Sequence, residues 1–153
     1  MKEYAKHIIA QTYLEFFLRH KIETIVSLIQ WASIDNLISF SGITSFYGGD
    51  LIKAGLVTYY EGDAPPPHYH PNDEQWIYLL EGSLAVLMGD DVETANAGDL
   101  IYVPRNTVHG IRLLNDKCRF FTCKSPAGTG GLSEDYQPIS NLDEITKKLN
   151  DHI

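Results

Sequence analysis

Three histidines in the middle of the chain have the spacing of a metal site. His68 and His70 are separated by one residue, and His109 follows a turn at residues 104–106. Side chains two apart on a β-strand share a face, with Cα atoms roughly 6.6 Å apart, so both imidazoles can converge on one ion. Neutral imidazole binds zinc, iron, copper, nickel and manganese. Three histidine ligands would leave coordination positions open for water or a substrate.

The segments that carry these histidines are predicted to be short β-strands. Apolar and β-branched runs alternate with turn residues such as Gly, Pro, Asn and Asp along the middle of the chain. The predicted strands are residues 51–60, 75–80, 83–88, 100–103, 108–114 and 119–124. Many short strands at this even spacing indicate an antiparallel sandwich or barrel.

Both ends of the chain are predicted to be helical. Apolar residues recur at helical spacing from residue 3 to about 18 and again from 22 to 31, which predicts a helical hairpin. Near the other end, Asn141 and Glu144 form a capping-box pattern before a short amphipathic helix at 142–149. The predicted organisation is a helical N-terminal extension at residues 1–36, a barrel at 37–127, and a C-terminal loop and helix at 128–153.

The frame around the histidines resembles the cupin superfamily. In the first motif, Gly62 is followed by five residues and then by His68 and His70. The second motif places Gly98, Pro104 and His109 at the cupin spacing, with Asn106 where Gly is usual and Leu113 where Asn is usual. The resemblance covers about residues 46–127. It implies a mainly β fold, the cupin double-stranded β-helix or jelly-roll barrel, that holds one divalent metal ion.

The resemblance also implies a fourth metal ligand, which in this family is usually Glu. Counting forward from His70 fits either Glu74 or Gln75, whereas counting back from Gly82 selects Gln75. Neighbouring strand residues face opposite ways, so only one of the two can enter the barrel. We predict Gln75, with Glu74 as the alternative. A neutral Gln leaves a charge of +2 on the site, where Glu would leave +1, and this favours Lewis-acid chemistry.

The same register predicts what lines the pocket. If Gln75 faces inward, Ile77 and Leu79 also do, and the outward residues include Trp76 and Tyr78. The deep pocket is therefore expected to be apolar. The side chains expected at its mouth, as candidates for binding substrate, are Tyr59, Tyr69, Tyr102 and Arg105. An aromatic mouth over an apolar floor suits a planar or cyclic organic molecule better than a phosphate.

Composition excludes several other classes of protein. The 153 residues carry a net charge of -8 without a dense basic patch, which disfavours nucleic acid and anionic membranes as partners. No apolar run reaches the roughly 18 residues that a membrane span needs. Cys118 and Cys123 are too few for a disulfide framework and are predicted to be reduced thiols. We therefore expect a cytoplasmic protein that binds a small molecule.

These observations predict a metal-dependent cupin enzyme. Its cofactor would be one divalent transition metal ion, Zn, Fe, Ni, Mn or Cu, and the metal ligands and catalytic residues would be His68, His70, Gln75 and His109. It would act on a small oxygen-rich organic molecule by Lewis-acid activation, in an isomerase-, cyclase- or dioxygenase-like reaction. Resemblances to uronate-ketonising and to quercetin-dioxygenase-like small cupins point to different reactions.

Three further expectations concern the alternatives and the assembly. The alternative to an enzyme is a non-catalytic domain that binds or senses a small ligand. A third possibility is that the N-terminal helices form an interaction arm and the barrel is a scaffold. We also expect a homodimer, formed through the outer sheet face that carries Trp76 and Tyr78.

Overall fold

The computed structural model describes residues 36–38, 43–126 and 135–152, and for 36–38 and 43–47 it describes the backbone alone. Within these ranges the chain forms eleven β-strands and one α-helix. The helices predicted for residues 3–31 lie outside the described residues, as do residue 127 of the predicted barrel and residues 128–134 of the predicted C-terminal loop. The predictions made for those segments remain predictions.

The strands form two antiparallel sheets. The order of the six-stranded sheet is β1 (Asn36–Ile38), β2 (Ile43–Gly48), β3 (Lys53–Tyr60), β10 (Lys117–Ser125), β5 (Glu74–Glu81) and β8 (Leu100–Val103). The order of the five-stranded sheet is β11 (Gln137–Pro138), β4 (His68–Tyr69), β9 (His109–Leu113), β6 (Ser83–Met88) and β7 (Asp91–Asn96). Strands that are distant in sequence, such as β3 and β10, are neighbours. This topology confirms the predicted mainly β, double-sheet architecture.

Each of the six predicted strands is present, with ends shifted by three residues or fewer. Of the five strands that the sequence analysis did not predict, β1, β4 and β11 are short, β7 is polar, and β2 is a six-residue strand with apolar members that the analysis missed. β4 and β11 have two residues each, too few to show a periodicity. β7 lies at a sheet edge, and four of its six residues are exposed, so it lacks the apolar run by which a strand is recognised.

The alternation along β5 sets the register of the barrel. Ile77 and Leu79 are buried, at 5% and 0% exposure, while Trp76, Tyr78 and Leu80 are 40–46% exposed. This confirms the predicted inward and outward faces. The inward side chains of both sheets form one core, whose buried members are Val57, Tyr59, Ile77, Leu79, Leu84, Val86, Ala95, Val103, Cys118 and Phe120.

Two turns hold this register in place. Gly82 joins β5 to β6 with φ 87°, and a Cβ there would come within 2.6 Å of the Lys117 carbonyl oxygen. Any larger residue at Gly82 would therefore push the strands apart. Asn106 has φ 58° in the turn before β9. Asn tolerates the left-handed region better than most residues, so the turn survives the replacement of the usual Gly.

The helix α1 (Leu142–Asp151) covers the outer face of the five-stranded sheet. Ile145 and Leu149 pack against Ala85 and Leu87. Arg112 donates from this outer face to the carbonyl oxygens of Leu149, at 3.2 Å, and of His152. These contacts fix the helix to the barrel. No helix in the described ranges is long and apolar enough to cross a membrane.

The start of α1 corrects one prediction. Asn141 is the N-cap residue, as expected, but its side chain makes no capping hydrogen bond. Its backbone, at φ -103° and ψ 40°, is not in the extended region typical of capping residues. The predicted capping box with Glu144 is therefore not formed. Asp143 and Glu144 still lie in the first turn, where the helix dipole favours negative charge.

Candidate metal centre

The three predicted histidines converge inside the barrel. His68 on β4 is paired in register with His109 at the start of β9, and His70 follows β4 by one residue. Ligand nitrogens of the three side chains lie within 4.8 Å of one another, and all three residues are buried. Within the described ranges, this is the one group of His, Cys, Asp and Glu side chains with that geometry.

Backbone carbonyls fix the tautomer of all three rings. The Nδ1 atoms of His68, His70 and His109 donate to the carbonyl oxygens of Pro66, Asp135 and Thr107, at 2.8, 3.2 and 3.0 Å. A carbonyl oxygen can only accept, so the proton of each neutral ring is on Nδ1 and the lone pair is on Nε2. Bonds of this type orient histidine ligands in metal sites. The triad thus presents three Nε2 lone pairs.

The rings are held in the neutral form that binds metal. Burial, with the neighbouring His109, lowers the pKa of His68 to about 3. Burial and the Lys124 charge lower the pKa of His70 to about 4, and burial lowers the pKa of His109 to about 4. All three side chains are therefore uncharged at neutral pH, and protons do not compete for Nε2.

Two residues close to the C-terminal helix, Asp135 and Tyr136, contact the site. The Asp135 carboxylate accepts hydrogen bonds from the Asn72 backbone N–H at 2.6 Å and side-chain amide at 2.8 Å, and from the Asp73 backbone N–H at 2.8 Å. It thereby holds the loop that follows His70. The ring of Tyr136 stacks on that of His68, with centroids 4.3 Å apart. Asp135 and Tyr136 together hold two of the three histidine rings.

Gln75 and Glu74 point to opposite sides of the six-stranded sheet. Gln75 shares the inward face of β5 with Ile77, and its Nε2 donates to the Thr122 hydroxyl at 2.8 Å. Glu74 accepts a hydrogen bond from the Tyr102 hydroxyl at 3.2 Å, next to the exposed Trp76. The inward position thus belongs to Gln75, which remains the predicted fourth ligand.

The interior beside the triad carries buried charges that the sequence analysis did not predict, in addition to the predicted apolar floor. Lys53, Lys124 and Gln75 are paired in register across β3, β10 and β5. The buried Lys53 ammonium is 3.1 Å from the carboxylate of Asp73, which is also buried. The buried Lys124 Nζ is 2.8 Å from His70 Nε2. The apolar floor begins deeper, at Ile77 and Leu79.

The four predicted substrate-binding residues separate into two pairs. Tyr69 is half-buried and lies between His68 and His70 in the chain, where strand alternation turns its side chain to the face opposite theirs. The exposed Arg105 lies in a turn that is tied to the triad, because the Asn106 N–H donates to the His70 carbonyl oxygen at 2.8 Å. These two are next to the triad along the chain.

The structure does not bring the other two to the triad. Tyr59 faces inward but packs on Phe120, six residues and about 20 Å along β3 from Lys53. Tyr102 lies on the outer face of β8, where its ring is tilted by 30° against that of Trp76, with centroids 4.4 Å apart. Strand geometry explains both positions. Alternation determines the face that each side chain occupies, and its place along the strand determines its distance from the triad.

Sequence reasoning missed Lys53, Asp73, Lys124, Asp135 and Tyr136. Strand alternation carried a signal for Lys124, since Phe120, Thr122 and Lys124 occupy the same face of β10. Lys53 likewise occupies the same face of β3 as Val57 and Tyr59. A lysine in phase with core residues is a candidate for a buried charge. No comparable signal marked Asp135 or Tyr136, because their partners lie more than sixty residues away.

Comparison with known proteins agrees with this geometry. A family model described as a cupin domain matches residues 55–122. Quercetin 2,3-dioxygenase from Bacillus subtilis (strain 168) is 38% identical over 53 residues, which are 35% of this chain and 16% of that protein. The chain therefore spans well under two thirds of this relative, and the likeness concerns one segment of it.

Two solved structures share the fold. An uncharacterized conserved protein with a double-stranded β-helix domain from Klebsiella pneumoniae has a TM-score of 0.59 at 18% identity, over 71% of this chain and 92% of that one. A mutant of Bacillus subtilis oxalate decarboxylase has a TM-score of 0.64 at 17% identity, over 82% of this chain and 37% of that one. Identities this low support the fold alone.

The family match and the candidate site coincide along the chain. The cupin model spans the strands that carry His68, Gln75 and His109, and the double sheet is the architecture of the solved double-stranded β-helix structure. The three buried histidines fit a metal-binding member of this fold. Residues 55–122 of this chain therefore form a small cupin domain.

Proposed function

We propose that this chain is a metal-dependent enzyme that acts on a small oxygen-rich organic molecule. The observation that carries the proposal is the common tautomer of His68, His70 and His109, each with Nδ1 committed to a carbonyl and Nε2 available. Histidines kept for packing alone have no need of a shared orientation. Three convergent, neutral, buried imidazoles are suited to one divalent transition metal ion.

Gln75 is proposed as the fourth ligand. The Thr122 hydroxyl donates to the Trp76 carbonyl oxygen at 2.9 Å, so its oxygen accepts from the Gln75 amide. The Gln75 carbonyl oxygen is not used in that bond and is the atom suited to the metal. Three neutral imidazoles and a neutral amide would leave the full charge of +2 on a divalent ion. A site of that charge supplies a strong Lewis acid.

The proposed reaction is Lewis-acid activation of a substrate oxygen, in an isomerase-, cyclase- or dioxygenase-like reaction. The neutral ligand set favours polarisation of a carbonyl or stabilisation of an enolate. Similarity to quercetin 2,3-dioxygenase over 53 residues supports the dioxygenase-like form. The proposed substrate contacts are Arg105, in the turn that is hydrogen-bonded to His70, and Tyr69, which is next to the histidines along the chain. The candidate metals are Zn, Fe, Ni, Mn and Cu, because imidazole suits them all.

Elemental analysis of protein purified without chelators or added metal tests the proposal. We expect about one equivalent of a transition metal in the wild-type chain and in His152→Ala, and almost none in the double variant His68→Ala/His109→Ala. His152 is a matched control, because it is hydrogen-bonded to Thr94 at the opposite end of α1 from its N-cap. Iron or copper would direct the substrate search to oxygen chemistry, and zinc would direct it to isomerisation or cyclisation.

Two results would contradict the proposal. One is wild-type protein that holds no metal and takes up none on dialysis against each candidate ion. The other is metal content that persists in the His68→Ala/His109→Ala variant. Either result would favour the alternative, a non-catalytic barrel that binds or senses a small ligand.

A further inference from the structure

Four consecutive residues, 135–138, are held by the segment that carries two of the three histidines. Their described hydrogen bonds, ring contacts and strand pairs all fall on residues 68–73. The Asp135 carbonyl oxygen accepts from His70 Nδ1. The Tyr136 ring stacks on that of His68, and the two residues of β11 pair with the two residues of β4. Residues 135–138 therefore have the histidine segment as their docking surface.

Asp135 connects this docking to the orientation of a candidate metal ligand. Its φ of 69° lies in the left-handed region, which few residues other than Gly adopt. The Asp135 carboxylate accepts three hydrogen bonds of 2.6–2.8 Å from Asn72 and Asp73, and these offset the cost of the conformation. In that conformation the backbone carbonyl of the same residue meets His70 Nδ1 at 3.2 Å. The carboxylate therefore acts on the His70 ring through the backbone of Asp135.

The docking of residues 135–138 has little stability of its own. None of the four residues is buried, and Gln137 and Pro138 are exposed. The next residue, Ile139, packs with α1 against the outer face of the five-stranded sheet, so the segment stays attached at its C-terminal end. Regions with few buried apolar contacts open at a lower free energy than the core. Binding of a ligand at the histidines can therefore shift this local equilibrium.

The docked form is the one suited to metal. With residues 135–138 in place, His70 Nδ1 is committed to a carbonyl and Nε2 is available, and the His68 ring is held by its stacking partner. When the segment opens, both constraints are lost. A metal ion that binds the docked form more tightly must stabilise the docking by the same factor.

We propose that metal binding and the docking of residues 135–138 are one coupled equilibrium, with Asp135 as its positioning residue. The segment opens more often in the metal-free protein than in the metal-bound one. The inference rests on the proposed metal-dependent function and adds a conformational change that reports whether the site is loaded.

Hydrogen–deuterium exchange with and without saturating Zn²⁺ tests the coupling in the wild-type chain. We expect Zn²⁺ to slow the exchange of the backbone amides of residues 135–137 about tenfold. β7 is the internal reference, because it is a largely exposed edge strand of the same sheet, and its exchange should be unchanged. Equal slowing in both segments would show general stabilisation by the ligand and would overturn the inference.

Two variants of Asp135 separate its carboxylate bonds from its position in the chain. Asp135→Ala removes the carboxylate and should weaken Zn²⁺ binding about tenfold, measured by competition with a chromophoric chelator. In this variant Zn²⁺ should no longer slow exchange at residues 135–137. Asp135→Asn tolerates the left-handed conformation, and its side-chain oxygen can accept from both backbone N–H groups. It should retain Zn²⁺ affinity and the effect of Zn²⁺ on exchange.

Asp99→Ala is the matched control. The Asp99 carboxylate accepts from the Asn96 backbone N–H at 2.7 Å, in the turn between β7 and β8, which carries none of the triad. The variant removes the same charge and a similar hydrogen bond within a turn, so it should bind Zn²⁺ as the wild type does. Equal weakening in Asp99→Ala and Asp135→Ala would overturn the role of Asp135.

The outcomes separate this inference from the proposed function. Unchanged Zn²⁺ affinity in Asp135→Ala, or no effect of Zn²⁺ on exchange at residues 135–137 of the wild type, would each overturn the inference and leave the metal site intact. Absence of Zn²⁺ binding by the wild type would overturn the proposed function, and the inference with it. If Asp135→Ala does not fold, the wild-type exchange experiment decides.

Discussion

The Gln75 amide is anchored by Thr122, whose hydroxyl oxygen accepts from Gln75 Nε2 at 2.8 Å. The same hydroxyl donates to the Trp76 backbone at 2.9 Å, so its role as acceptor toward Gln75 is fixed. Without such a contact, a side-chain amide can rotate by half a turn, which exchanges the positions of its oxygen and nitrogen. The Thr122 contact therefore determines which end of Gln75 is available inside the barrel.

If Gln75 is the fourth ligand, Gln75→Ala should weaken Zn²⁺ binding at least about tenfold. Thr122→Val, which removes the anchor and keeps the shape, should weaken it by a smaller factor. Glu74→Gln is the matched control, because Glu74 lies on the outer face with Tyr102. Competition with a chromophoric chelator measures all three. Weakened binding in Glu74→Gln with unchanged binding in Gln75→Ala would assign the ligand to Glu74 instead.

The buried ion pair of Lys53 and Asp73 should be strongly coupled in stability. Both side chains are at most 5% exposed, so removing one partner leaves a buried charge, at a cost of about 3–5 kcal/mol. We expect Asp73→Leu and Lys53→Met each to lower the free energy of unfolding by that order. The double variant should lose much less than the sum, as measured by urea unfolding.

The exposed pair of Lys117 and Glu81 provides the comparison for this cycle. Its side chains are 39% and 54% exposed, so Lys117→Met should cost less than about 1 kcal/mol. Strictly additive losses for Lys53→Met and Asp73→Leu would show that the two charges do not stabilise each other.

The histidine triad predicts loss of stability in weak acid. The pKa of His68 falls from 6.5 to about 3 in the folded state, and those of His70 and His109 fall to about 4. Below about pH 6.5 the unfolded chain takes up protons that the folded chain excludes, so the free energy of unfolding decreases toward pH 4. The slope is about 1.4 kcal/mol per pH unit for each proton.

Urea unfolding at several pH values, with a chelator present, measures this slope. His109→Asn should reduce the slope by the contribution of about one proton, because it removes one of the three histidines that exclude a proton in the folded state. His152→Asn is the control, because it should leave unchanged the number of protons that the folded triad excludes. A free energy of unfolding that is constant from pH 7 to 5 would show that the triad is not held neutral by burial.

The outer face of the six-stranded sheet is the surface that we propose for a homodimer, with a second copy of the chain as the occupant. Five large apolar side chains on β5 and the edge strand β8 are 40–59% exposed: Trp76, Tyr78, Leu80, Leu100 and Tyr102. A contiguous patch of this kind, unlike scattered apolar residues, is typical of an interaction site. A two-fold dimer lets the same patch cover itself.

Sedimentation equilibrium should therefore give about twice the 17.2 kDa of one chain. Trp76→Glu should give the monomer mass, because it places a charge in the centre of the patch. Leu51→Glu is the control, since Leu51 is 76% exposed but lies before β3 and outside the patch. A wild-type mass near that of a single chain would exclude this dimer.

Local periodicity and motif spacing predicted the part of the site that depends on strand register. The His68 and His70 spacing, the inward face of Gln75 and the outward face of Trp76 all follow from the two-residue repeat of a strand, and Gly82 fixes its phase. The assignment of Tyr59 and Tyr102 to the mouth failed because it used residue type without the face and height that the strands impose.

Long-range pairing decided the rest. Which strand lies beside β10, and hence that Lys53, Lys124 and Gln75 form one row, depends on contacts between segments far apart in the sequence. The contact between Asp135 and His70 joins residues 65 positions apart. β4, with two residues, is held by its neighbours β9 and β11 and not by its own propensity. No local pattern encodes these relationships.

The hydrogen bond from His70 to Asp135 has a consequence for the biosynthesis of this protein. Domains are made in order from the N-terminus, and His68 and His70 leave the ribosome well before residue 135. Until Asp135 and Tyr136 arrive, the His70 ring lacks the carbonyl that sets its tautomer, and the His68 ring lacks its stacking partner. The finished domain, and not the nascent chain, is therefore the species that we expect to bind the proposed metal.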